Sequence, residues 1–64
     1  MNLKLERIKN GMTQKQLREK TGVSLNTIVA IEKGNIDNVT VKTLKKIAAA
    51  LNTTVEKLFF RDEE

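Results

Sequence analysis

Along the chain, apolar residues recur in short clusters at helical spacing, divided by polar, turn-forming residues. Five helices are predicted. The first runs from Asn2 to Lys9, with Leu3 and Ile8 on its apolar face and Lys4 and Lys9 toward solvent. Leu5 fits that face poorly and reads as a partly covered boundary residue or, less simply, a partner contact. Arg7 falls between Leu3 and Ile8 and points inward, where a charge needs a partner. Asn10-Gly11 ends this helix, and Met12 is expected in the core. A second helix, Gln14 to Lys20, opens at Thr13, which with Gln16 has the spacing of a capping box. It supplies Leu17 and stops at Gly22, where a left-handed residue is least costly. Ser24 caps a third helix, Leu25 to Lys33, whose buried face is Ile28 and Ile31 with Val23 below; Gly34 ends it.

Thr40 caps the fourth helix, Val41 to Leu51. Val41, Leu44, Ile47, Ala48 and Leu51 form its buried face, and Asn52 can end it in the left-handed conformation. Lys42, Lys45 and Lys46 lie mostly off that face and read by default as solvated surface. Thr53 or Thr54 opens a short fifth helix, Val55 to Phe60, in which Val55, Leu58 and Phe59 close the core. Phe60 is left with little to cover it, and residues 61–64 are expected to fray. The expected fold is all-α, one compact five-helix domain over residues 1–64.

The second and third helices, joined by a short turn carrying Gly22, match a helix-turn-helix, a motif whose second helix enters the DNA major groove. Charge agrees with this. The net charge is +4, but Arg61, Asp62, Glu63 and Glu64 sum to −2, so residues 1–60 carry +6. A basic body suits a polyanion, although small domains also carry such charge for solubility. The 64 residues contain no cysteine and no histidine, which removes disulfides, thiolate metal sites and the commonest general base. No catalytic residue, metal or cofactor is expected. The N-terminal stretch lacks a signal peptide's apolar run, and nothing is long enough to span a bilayer. A cytoplasmic, nucleoid-bound protein with no membrane contact is therefore expected.

The chain resembles the lambda-repressor-like (XRE-type) helix-turn-helix DNA-binding domains. The residues carrying the resemblance are Thr13-Gln14, Leu17, Gly22-Val23-Ser24, Ile28 and Ile31-Glu32-Lys33-Gly34. It continues in register through Val39-Thr40-Val41, Leu44, Ile47-Ala48, Ala50-Leu51 and Leu58-Phe59, covering nearly the whole chain. Arg18 stands where the family usually has a small residue, Thr21 where it has an apolar one, and Val39 where many relatives have proline. The resemblance also supports Glu32 as the partner of Arg7, an ion pair tying the first helix to the third.

The motif's docking geometry makes Leu25, Asn26, Thr27, Val29 and Ala30 the candidate base contacts. Asn26 can pair with N6 and N7 of adenine, Thr27 offers a hydroxyl and a methyl, and Val29 and Ala30 suit thymine methyls. Leu25 departs from the Gln or Arg frequent in the family and can make only apolar contact. The resemblance implies that Gln14 anchors a phosphate and that the loop bordered by Lys33, Asn35 and Asn38 lies along the DNA backbone. Ser24 could add its hydroxyl, and Lys42 is the helix-4 lysine nearest that loop. Asp37 would repel a phosphate and is expected to turn away. Phe60 is a candidate dimer contact, since such domains read paired half-sites; partial cover by the tail is the simpler alternative.

These residues imply a sequence-specific transcriptional regulator, acting as a homodimeric repressor on a palindromic double-stranded DNA operator. The alternative is the same fold used as a protein-interaction module, such as the partner-binding part of an antitoxin or regulator complex. The thin polar code of the third helix is what favours it.

Overall fold

The computed structural model describes residues 3–60. Four α-helices precede a short fifth element: α1 (Leu3–Lys9), α2 (Gln14–Thr21), α3 (Leu25–Glu32), α4 (Val41–Ala50) and α5 (Glu56–Phe60), the last a π-helical turn. Among the described residues there is no strand. The expected frayed tail lies outside the described residues, as does Asn2 at the start of the first predicted helix. No helix among the described residues is long and apolar enough to cross a membrane.

Local chemistry sets most element boundaries. Gln16 N–H donates to Thr13 Oγ1 at 3.0 Å and Thr13 N–H to Gln16 Oε1 at 2.9 Å, so the capping box forms. Gly22 ends α2 at φ 75°, its N–H donating to the Arg18 carbonyl at 2.8 Å. A side chain there would be strained by its own backbone. Thr21, more polar than the resemblance led one to expect, closes the turn: its hydroxyl donates to the Leu17 carbonyl at 2.7 Å and accepts from Val23 N–H at 3.1 Å. Ser24 and Thr40 cap α3 and α4, accepting from Thr27 N–H at 3.2 Å and Thr43 N–H at 3.1 Å. Asn52 takes φ 58° after α4. Thr54, not Thr53, opens the last helical segment, accepting from Lys57 N–H at 3.2 Å.

α2 packs against α3 and α4, and α1 against α3 and α5. Leu3, Leu17, Ile28, Ile31 and Ile47 are almost fully withdrawn from solvent at the centre of this core. Val23, Leu44, Ala48, Leu51, Leu58 and Phe59 surround them, and Met12 and Val55 pack on its edge. The radius of gyration, 10.5 Å, is what one core of this length gives, about 10–11 Å. Arg18 is an exposed residue, its side chain partly covered and its guanidinium 4.0 Å from the Glu19 carboxylate.

Two expected apolar placements are corrected. Ile8 is 54% exposed, because the inward positions of α1 are Leu3 and Arg7, one turn apart, and Ile8 is rotated out beyond them. Leu5, on the same outer side, is 52% exposed, the partly covered boundary residue expected. Val41 is 61% exposed: α4 buries Leu44, Ile47, Ala48 and Leu51, and its first residue precedes the packed stretch.

Candidate nucleic-acid interface

The helix-turn-helix is fixed from beneath by a polar cluster. Arg7 lies on the core side of α1, and its guanidinium meets Glu32 at the end of α3. Arg7 Nε donates to Glu32 Oε2 at 2.7 Å and a terminal nitrogen to Oε1 at 3.3 Å. The other terminal nitrogen donates to the Met12 carbonyl at 2.8 Å. Gln14, at the first position of α2, donates from Nε2 to Glu32 Oε1 at 3.0 Å. One carboxylate thus holds α1, the start of α2 and the end of α3 together. Burial alone would raise the Glu32 pKa. The hydrogen bonds from Arg7 and Gln14, with the charges of Arg7 and Lys4, outweigh it and hold the group below its ordinary 4.5.

A carboxylate with a depressed pKa contributes stability that is present above its unfolded pKa and lost as pH falls through the folded one. Wild type is therefore expected to unfold at a higher temperature than Glu32→Gln at neutral pH. That gap should close as the pH is lowered below about 4.5. Thermal melts of both proteins across an acid series check this; a gap that stays constant would contradict the ionic account.

Above this cluster, a groove runs between α3, the following loop and the start of α4. Asn26, Thr27 and Ala30 line it from α3, Asn35, Asp37, Asn38 and Val39 from the loop, and Thr40 and Thr43 from α4. The loop is shaped without proline: Ile36 and Val39 pack against the core, and Val39 N–H donates to the Ile36 carbonyl at 3.1 Å. That anchoring leaves Asn35, Asp37 and Asn38 exposed. Among the described residues, no hydrogen bond holds the amide of Asn26.

The groove gathers five of the expected contact residues: Asn26, Thr27, Ala30, Asn35 and Asn38. Leu25, 39% exposed, and Val29, half-buried, lie off it, as do Gln14, Ser24, Lys33 and Lys42. Ala30 is half-buried rather than open on an exposed face. Asp37, exposed on the same loop, also borders the groove. The Ser24 and Thr27 hydroxyls are hydrogen-bonded to each other at 2.9 Å, which leaves one of the two protons for an outside acceptor. Thr40 and Thr43 repeat the arrangement, with Thr40 Oγ1 donating to Thr43 Oγ1 at 3.1 Å.

Sequence reasoning missed Thr40 and Thr43 as groove residues. The one available signal was the cap itself, since a capped helix start directly after the loop must border whatever the loop borders.

The helix-turn-helix family model matches residues 3–58. Two proteins of Archaeoglobus fulgidus, each described as an uncharacterized HTH-type transcriptional regulator, are similar to this chain. One is 45% identical over 58 residues, covering 91% of this chain and 81% of the relative. The other is 43% identical over 58 residues, covering 91% and 80%. A third protein with the same description, from Methanocaldococcus jannaschii, is 39% identical over 62 residues, covering 97% of this chain and 92% of the relative.

Proposed function

We propose, from the premise that this chain belongs to the helix-turn-helix family, of the XRE type, that it is a sequence-specific DNA-binding transcriptional regulator. It acts as a repressor, a homodimer on a palindromic operator with α3 in the major groove of double-stranded DNA. The observation that carries this reading is the groove. It sets the unengaged Asn26 amide and the Thr27 hydroxyl beside an amide-bearing loop anchored on the core by Ile36 and Val39.

In this reading Asn26 pairs with adenine, and Thr27 and Ala30 meet a neighbouring base edge or thymine methyl. Leu25 and Val29 make apolar contacts at the flanks of α3. Asn35, Asn38, Lys33 and Lys42 hold phosphates on either side. Asp37 accepts only donors, so it favours a cytosine amino group in its neighbourhood and disfavours a close phosphate. Gln14 is already tied to Glu32 through one hydrogen of Nε2; the second hydrogen is the one that reaches a phosphate. The proposed dimer contact is Phe60, 60% exposed. The domain measures 31 × 26 × 18 Å, a size at which two copies side by side fit half-sites about one DNA turn apart.

Binding of a labelled duplex across a salt series tests the reading. With Lys33 and Lys42 engaged in each of two protomers, log K is expected to fall against log salt with a slope of about −4. An apolar protein-interaction module would show no binding, or no such slope. Gln14→Ala is expected to weaken all duplexes about equally, because a phosphate contact carries no sequence information. A changed preferred sequence would argue against an anchoring role.

A further inference from the structure

The outer side of α4 is neither core nor groove. Val41, Lys42, Lys45, Lys46 and Ala49 line a shallow concavity there. A second concavity shares Lys46 and Ala49 and continues onto Lys20 and Thr21 at the end of α2. The result is one continuous face with an apolar floor, Val41 and Ala49, rimmed by four lysines. Val41 is 61% exposed, unusual for a β-branched residue at the head of an otherwise well-packed helix. Among the described residues, none of these lysines is in an ion pair; the ion pairs formed are Arg7–Glu32, Lys9–Glu6 and Arg18–Glu19. No acidic side chain lines either concavity.

We propose that this face docks an acidic segment of a partner protein, one that carries apolar side chains between its carboxylates. Charge complementarity and the apolar floor together select such a partner. Four cations with no local counter-charge attract a polyanion. Long lysine stems and the side chains of Val41 and Ala49 offer apolar contact between the charged heads. A second copy of the chain docking by the same face would set lysines against lysines, and is disfavoured for that reason. DNA would satisfy the charges but leave the floor unused; the face has no side-chain amide, and its one hydroxyl, that of Thr21, is already bonded to the Leu17 carbonyl and Val23 N–H. The face shares Lys42 with the proposed DNA contacts; Lys20, Lys45 and Lys46 belong to it alone, so it remains basic whether or not DNA engages Lys42.

The test uses the full chain and two synthetic peptides of about twenty residues and equal negative charge. One alternates glutamate with leucine at helical spacing; the other has serine in place of leucine. In a titration followed by backbone amide NMR, the leucine-bearing peptide is expected to shift residues 41, 42, 45, 46 and 49 with 20 and 21, and to leave Asn26, Asn35 and Asn38 unmoved. The serine peptide should bind about tenfold more weakly. K46E and A49E, both at exposed positions, should each weaken the leucine peptide about tenfold while keeping the thermal midpoint, and A49E, which leaves every lysine in place, should also keep the affinity for duplex. Equal binding of the two peptides, or shifts centred on the α3 groove, would overturn the proposal. So would a duplex that shifts residues 45, 46 and 49 in place of the groove, or a change of oligomeric state in K46E. The first would assign the face to DNA and the second to another copy.

Discussion

Arg7→Ala is expected to destabilise the fold by about 3 kcal/mol, the lower end for breaking a buried ion pair. The Arg7 and Glu32 side chains are only 10% and 7% exposed, so the usual discount for a surface pair does not apply. The loss comes less from the missing attraction than from what remains. Glu32 keeps its charge with one donor, Gln14, in place of three, and the Met12 carbonyl loses its guanidinium partner. A chain of this length has roughly 3–10 kcal/mol in total, so the variant is expected to be partly unfolded well below the wild-type melting temperature. Removing Glu32 together with Arg7, as Arg7→Met with Glu32→Leu, should recover much of the loss, because no unpaired charge is left. Thermal melts of the single and double variants measure this directly; an unchanged midpoint in Arg7→Ala would make the pair incidental.

Asn26→Ala is expected to leave the melting temperature unchanged and to act on recognition. On its preferred duplex it should cost about 1–3 kcal/mol, or about 5- to 150-fold in Kd, and relax preference at one base position. The side chain is exposed, lines the groove and has no bond within the described chain to lose. The contrast with Arg7 separates two roles that a simple binding assay would merge. One residue holds α3 in place; the other meets what α3 is presented to. Equal weakening on every duplex sequence would contradict base reading by Asn26.

What was legible in the sequence was chiefly what is local. The Thr13–Gln16 box, the Gly22 stop and the Ser24 and Thr40 caps depend on residues within one turn of each other, and each forms. Arg7–Glu32 spans 25 residues, yet an inward-pointing charge demands a partner and the resemblance supplied one. The failures lie where several helix faces compete. On a seven-residue α1, Leu3, Arg7 and Ile8 cannot all face inward, and the long arginine reaching Glu32 takes the place that hydrophobicity alone gives to Ile8. Val41 matches the periodicity of α4, but periodicity does not say where the neighbouring helix begins to cover it. The groove was legible only in part for a related reason. Asn26, Thr27 and Ala30 follow from the motif, whereas the placing of Asp37 and Thr43 depends on the loop's path, which the packing of Ile36 and Val39 sets. The last helical segment was located correctly, but its π-helical turn has no sequence signal we can identify.

If the α3 groove reads DNA sequence as one half of a two-fold assembly, selection from a randomised duplex pool at moderate salt, with sequencing of what the protein retains, yields a palindromic consensus whose half-sites lie about 10 base pairs apart, centre to centre. Retention without enrichment, or no retention even at low salt, would contradict that reading.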